Sequence, residues 1–354
     1  MKILYFATYY LDNYVRQNVI INCLKEIKSI DVIECVVNKK SLFRYLQVFW
    51  KYLFISKKDI DVIIVGFRGH EVLPFLRLLT KKPIIFDAFI SLYDTLCFER
   101  KVISPYSLIG KLMFYFEKYL LGIVDHILLD TKTHVKFFKE LYKIPKNKIS
   151  SVYVGADKNI FYPRQEIKKI NKFIVLYYST FRPLHGLEYI VESAKLLENK
   201  KNIIFKIIGR GPKKNKINKI VAEKNINNIE FIDWIKYEKL PEEIAKADVC
   251  LGGHFSKISK AKRVIPGKVY QFLAMKKPVI VSQNEANKEV FISQNNCLMV
   301  KNSDPKDLVK AITQLENNKI LIEKISEKGF NTFLSVQERI KNSLEEIIKK
   351  NVRK

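Results

Sequence analysis

Residues Tyr177–Lys195 read YYSTFRPLHGLEYIVESAK. An aromatic, apolar run is followed by a loop ending at Gly186, and then by Leu187, Ile190, Val191, Ala194 and, just beyond, Leu197 on one helical face. The stretch therefore predicts a strand, a loop and a helix. Unpaired backbone N–H groups and the positive end of a helix dipole meet at such a junction and suit a phosphate, and Arg182 and His185 add side-chain donors. The same junction is also a plain connection in many α/β proteins, so its meaning depends on its surroundings.

Outward from this stretch the alternation continues to both ends of the chain. In the first half, strands are expected near Lys2–Ala7, Val32–Val37, Val62–Val65, Ile84–Asp87, His126–Leu129 and Ile149–Val154. In the second they fall near Phe173–Tyr178, Ile203–Ile208, Ile229–Ile232, Val249–Leu251, Val279–Val281 and Leu298–Val300. Helical-period segments lie between them, which is the pattern of parallel sheets with crossover helices. A chain of 354 residues exceeds one typical domain. The expected fold is α/β, with two doubly wound Rossmann-like domains facing a cleft, so function belongs in the strand-end loops. Gly155–Lys172 has Gly, Pro and charges without sustained periodicity and reads as a linker, with the boundary near residue 168. The expected division is 1–167, 168–335, and a helical tail over 336–354.

Charge narrows the partners. The 63 Lys and Arg against 36 Asp and Glu leave a net +27, which favours a nucleotide diphosphate, an acidic membrane surface or a nucleic acid, with codon bias towards Lys, Asn and Ile as the alternative source of the excess. Nucleic acid ranks last, because the lysines are spread and no aromatic stacking platform accompanies them. Five cysteines (Cys23, Cys35, Cys97, Cys250 and Cys297) form no CxxC pair, which points to a reduced compartment and no structural zinc. The start, MKILYFAT, reads as a strand rather than a signal peptide, and no stretch is apolar for long enough to span a bilayer, so a cytoplasmic protein is expected. Ser41–Ser56 and Tyr106–Gly122 are helical in pattern, aromatic-rich and punctuated by Lys or Arg. They suit either a membrane interface or a core whose charged positions are solvated.

Two further elements of the second half favour an anion. Gly209-Arg210-Gly211-Pro212 is a tight turn that lets a ligand approach closely, and in Lys260–Pro278, KAKRVIPGKVYQFLAMKKP, Arg263 and Lys268 lead into a helix beginning near Gly267.

Taken in order, TFRPLHGLEYIVESAKLL, IIGRGP, RVIPGKVYQFLAMKKPVIVS and DPKDLVKAI resemble the C-terminal donor domain of glycosyltransferase family 4, the retaining GT-B enzymes. The likeness is clearest from about Phe173 to Ile312, with KPIIFDAFISLYDT and VGADKNIFYP as fainter matches. It implies that residues 1–167 bind the acceptor, that 168–335 bind a nucleotide-sugar, and that the tail packs back on the first domain. It places Arg182, His185 and Gly186 near the donor diphosphate, Arg263 and Lys268 as its neutralising cations, Gly209 and Gly211 at the nucleotide edge, and Glu289 near the donor sugar or phosphate. It further implies transfer of a hexose from a nucleotide-sugar to a saccharide or lipid-linked acceptor in capsule, lipopolysaccharide or similar surface-polysaccharide synthesis; UDP and GDP both stay open as the nucleotide, with UDP preferred. No cofactor and no metal are expected, the nucleotide-sugar being a substrate. An anionic membrane surface, at the inner face of the cell membrane, is the expected partner.

The chain departs from the family pattern at three places. Gln271 stands where a ribose-binding Glu is usual, Arg263 replaces the Glu eight residues earlier, and Ser179 replaces a Gly. Gln can still accept through its carbonyl oxygen, but without charge. In the first half Asp87 and Asp94 are the catalytic candidates, as carboxylates at or after a strand end that can orient an acceptor hydroxyl or take its proton; capping or turn roles are the alternative. Arg68, Gly69 and His70 follow another strand. The rival functions are a nucleotide-sugar epimerase or hydrolase on the same fold, and a non-catalytic GT-B scaffold.

Overall fold

The computed structural model describes residues 1–8, 14–37, 43–56, 59–164 and 171–352. The chain divides into two compact units, Met1–Val154 with Gln337–Lys354, and Gly155–Val336. Residue 168, the boundary expected from sequence, and residues 41–42 of the first aromatic segment lie outside the described residues.

The first unit runs β1 (Lys2–Ala7), α1 (Val15–Lys25), β2 (Asp31–Val36), α2 (Phe43–Phe54), β3 (Val62–Val65), α3 (Leu73–Leu79), β4 (Ile84–Asp87), α4 (Leu108–Ile123), β5 (His126–Leu129), α5 (Lys132–Tyr142) and β6 (Ile149–Ser151). Its sheet is ordered β2-β1-β3-β4-β5-β6, and all the pairings are parallel. VIIV in β3, IIFD in β4 and HILL in β5 are buried at every position, because helices cover both faces of a parallel sheet. The chain steps one way from β1 to β2 and the other way thereafter. Right-handed crossovers then put α1 on one face and α2 to α5 on the other. Val48 and Tyr52 of α2, Leu73 and Leu76 of α3, Leu120 and Leu121 of α4, and Phe138 and Tyr142 of α5 accordingly share one core. β6 is shorter than expected: its pairing ends at Ser151 rather than Val154.

The second unit runs β7 (Phe173–Ser179), α6 (Leu187–Leu196), β8 (Ile203–Gly209), α7 (Lys214–Glu223), β9 (Ile229–Ile232), α8 (Leu240–Lys246), β10 (Val249–Gly253), α9 (Gly267–Ala274), β11 (Val279–Ser282), α10 (Glu285–Lys288), β12 (Leu298–Val300) and α11 (Pro305–Glu316), and takes in the start of the 34-residue α12 (Lys319–Val352), which belongs to the first unit from Gln337 on. The sheet order is β12-β11-β10-β7-β8-β9, again parallel. From β7 the strands β8 and β9 are added towards one edge of the sheet, and β10 to β12 towards the other. The direction reverses between β7 and β10, which makes their carboxyl ends the place where an open α/β sheet leaves a crevice. Local signals set the helix starts: the Asp304 carboxylate accepts from Asp307 N at 3.0 Å, with Pro305 opening α11. No described helix is long and apolar enough to cross a membrane.

Candidate functional site

The loops after β7 and β10 meet at the switch point of the second sheet. Gly186, the residue before α6, has φ 67°, and a Cβ built there would lie 2.6 Å from Ser256 N and 2.7 Å from Phe255 C. Phe255 N donates to His185 O at 3.2 Å. Only a glycine lets these two backbones touch. The β8 loop approaches as closely, since Cβ atoms at Gly209 (φ 140°) and Gly211 (φ 149°) would each fall 2.0 Å from a carbonyl oxygen, of Ser179 and Thr180 respectively. Ser179 is itself buried and its Oγ accepts from Phe181 N at 3.2 Å.

Against these loops lies a desolvated polar group. Lys268, in the first turn of α9, is buried; its ammonium donates to Tyr178 O at 2.5 Å and sits 4.2 Å from the Tyr177 ring centroid. Burial pushes its pKa down to about 7. The Tyr177 hydroxyl is 3.2 Å from His185 Nδ1, and the His185 and His254 rings are 5.2 Å apart. Burial, then Lys268, His254 and Arg182, push His185 well below the ordinary histidine value. Burial, with Lys268 and Lys260, brings His254 to about 3. Both imidazoles are thus neutral at pH 7, and the buried His254 Nδ1 has no hydrogen-bond partner among the described residues. Two neutral rings and a partly discharged lysine, short of counter-charge, are what an incoming anion would stabilise. Arg182 is exposed at the loop's entrance.

The remaining residues predicted from sequence occupy neighbouring elements. Gln271, on α9, is buried; its Oε1 accepts from the Tyr178 hydroxyl and its Nε2 donates to Tyr237 Oη at 3.0 Å. Two tyrosines thereby hold the side chain at both polar ends. Arg263 Nη1 donates to Ser259 Oγ at 2.8 Å. Glu289 is half-buried at the end of α10, whose start is fixed by buried Asn284 accepting from Asn287 N at 2.8 Å. His254, Tyr177, Tyr178 and Tyr237 were not legible as site residues. Each sits in a run that reads as strand or loop, and a switch point is a property of strand order rather than of local pattern.

In the first unit Asp87 ends β4 and is fully engaged. Arg16 Nε donates to its two oxygens at 2.8 and 2.9 Å, while Arg16 Nη1 reaches Val152 O at 2.6 Å. Both partners are buried. Nearby, the equally buried His134 and Asp130 pair at 2.7 Å. Asp94 is also buried, and its N–H donates to Ser91 Oγ at 2.9 Å. His70, just after β3, is buried, 3.5 Å from Glu117. Glu117 accepts from Ser91 Oγ, Leu92 N, Tyr93 N and Tyr142 Oη at 2.7–3.0 Å. Burial alone would raise its pKa; the His70 imidazole, the Tyr93 N–H and the Tyr142 hydroxyl together lower it below the ordinary glutamate value. Arg68 and Gly69 lie in the short turn ahead of α3, with Arg68 at φ 58°.

Two six-stranded parallel sheets with crossover helices define an α/β fold of the GT-B glycosyltransferase type. Within it, residues 159–332 match the family of glycosyl transferases group 1. An uncharacterised glycosyltransferase of Methanocaldococcus jannaschii is 25% identical over 215 residues, covering 61% of this chain and 56% of that protein's own length. Among solved structures, sucrose-phosphate synthase from Thermosynechococcus elongatus superposes with a TM-score of 0.73 at 15% identity, covering 99% of this chain and 98% of that one. The Anabaena protein HepE, in complex with UDP and glucose, superposes at 0.71 with 12% identity, covering 98% and 100%.

Proposed function

We propose that the protein is a retaining glycosyltransferase that moves a hexose from a nucleotide-sugar, UDP before GDP, to a saccharide or lipid-linked acceptor. The observation that carries the reading is the buried Lys268 ammonium beside Tyr177, His185 and His254 at the switch point of the second sheet, within the residues that match group 1. When the anomeric C–O bond breaks, its electron pair stays on the diphosphate. Lys268, with Arg182, Arg263 and the N–H groups opening α6, is suited to receive that charge. The acceptor oxygen bonds to the anomeric carbon on the face the diphosphate leaves, and the acceptor proton passes to a diphosphate oxygen. These protein cations would do the work of a divalent metal, so turnover should survive chelation. UDP is favoured by analogy with the UDP held by HepE.

The first unit would take the acceptor. Because Arg16 occupies both oxygens of Asp87, we assign Asp87 to positioning the β4 end and leave Asp94 as the carboxylate nearer the reacting hydroxyl. Placement on the inner face of the cell membrane, and a role in surface-polysaccharide assembly, belong to the same proposal. A second reading, a non-catalytic scaffold, draws on Gln271, whose two polar ends are taken by Tyr178 and Tyr237.

Thermal unfolding with UDP, GDP, ADP and their sugar conjugates tests the donor reading, because a ligand of the native state raises its apparent stability. A selective upward shift that is reduced by Lys268→Ala and Arg263→Ala supports it. Folded protein that shifts with none of them favours the scaffold.

A further inference from the structure

Three consecutive helices of the first unit turn apolar side chains towards solvent. On α2, Leu46, Trp50 and Leu53 recur at helical spacing, and all are exposed, Trp50 by 60%. On α4, Leu108, Leu112 and Tyr115 do the same. Between them α3 leaves Leu78 85% exposed. The inner faces of all three helices enter one core, Phe49 of α2 meets Phe75 of α3 edge-on at 6.2 Å, and α3 packs on α4. The exposed stripes are therefore neighbours on one side of the sheet. Exposed apolar side chains gathered on neighbouring helices of a folded unit mark an interaction surface.

The charge on this face selects the occupant. Glu117 is the only carboxylate in α2, α3 and α4, and it is buried under its hydrogen bonds. Lys51, Lys111 and Lys118 are exposed among the apolar residues. Lysine is depleted from protein interfaces, and a second copy of the same face would set lysine against lysine. Aromatic and aliphatic side chains interleaved with lysine suit a bilayer, with the rings at the acyl boundary and the ammonium groups at the phosphates.

We propose that the α2–α3–α4 face docks the protein on a bilayer containing acidic phospholipid. The inference deepens the membrane placement in the functional reading and rests on it, while its geometry belongs to the first unit and is independent of the nucleotide chemistry. It also brings in α3, which no sequence pattern had suggested.

The test uses the full chain carrying Trp234→Phe, which leaves Trp50 as the sole tryptophan of two. Vesicles of phosphatidylcholine, with or without phosphatidylglycerol, are added without nucleotide. The protein is expected to sediment with the acidic vesicles and to shift its Trp50 emission to the blue. Lys111→Gln with Lys118→Gln should weaken that binding on the order of tenfold, and more salt should weaken it further. Leu78→Ser with Leu112→Ser should weaken it at least as much. The proposal is overturned by an absence of sedimentation, by sedimentation with unmoved Trp50 emission, or by a dimer that dissolves in the Leu78→Ser, Leu112→Ser protein. UDP-dependent thermal shifts on the same variants separate the two readings: retained shifts with lost vesicle binding, or the reverse, show which one fails.

Discussion

The Lys268 ammonium lies 4.2 Å from the centroid of the Tyr177 ring, buried beneath the loop that would cradle a diphosphate. Its folded pKa of about 7 falls below the ordinary lysine value of 10.5. Between these values the unfolded chain binds more protons than the folded one, so this residue makes stability rise with pH across that window. Below it, the buried cation costs stability. Lys268→Met should therefore unfold at a higher temperature than the parent near about pH 6, with the difference shrinking towards about pH 9. Scans of nucleotide-free protein across this range check the sign.

A bound diphosphate should pull the same lysine back to its charged form. Affinity for a nucleoside diphosphate is expected to weaken as pH climbs above about 7, with proton uptake on binding. Calorimetry in buffers of different ionisation enthalpy would detect it. Lys268→Met should remove this pH dependence and lower affinity by roughly ten- to a hundredfold, the loss of one charge-assisted hydrogen bond.

Removing Gln271 strands two phenolic hydroxyls. Gln271→Ala is expected to cost about 1–3 kcal/mol, whereas Gln271→Glu should cost less, since the Tyr237 hydroxyl can turn and donate. Thermal unfolding of the two variants decides. Equal losses would mean that the tyrosines have other partners.

Two glycine substitutions should act in opposite directions. Gly186→Ala places a Cβ 2.6 Å from Ser256 N at a positive φ and should destabilise by about 1–3 kcal/mol. Gly122→Ala, in α4 with none of the described residues within 4 Å of the added Cβ, should stabilise by about 0.5–1 kcal/mol. Denaturant melts of both proteins provide the comparison.

The buried pair at the end of β4 offers another test. Asp87→Ala leaves the buried Arg16 charged without its hydrogen-bonded carboxylate, with an expected loss of about 3–5 kcal/mol, while Arg16→Met with Asp87→Leu should regain much of it. A chemical-denaturation cycle of single and double variants measures the coupling. Additive losses would remove Asp87 from its positioning role.

Much of the architecture was legible because strands buried on both faces are unbroken apolar runs: VIIV and HILL have no other reading between turn signals. The glycines of the second unit were legible too, as local punctuation. What escaped depends on distant partners. Tyr178 meets Gln271 across 93 positions and Arg16 meets Asp87 across 71. No period links such pairs. Glu117 looked like one more charged interruption in an amphipathic helix, and its burial follows from the Ser91 loop folding over it. The exposed stripes of α2 and α4 were equally ambiguous, since an apolar residue at helical spacing does not announce which side of the helix faces the sheet.

The long α12 has a consequence for biogenesis. The chain leaves the first unit at Val154, builds the second, and rejoins the first at Gln337, contributing buried Ile340, Leu344, Ile347 and Ile348. On the ribosome, the portion translated first must wait, its core incomplete, until the portion translated after it has emerged. The later-made unit is self-sufficient sooner, and the nascent first unit spends that interval as a natural client for chaperones.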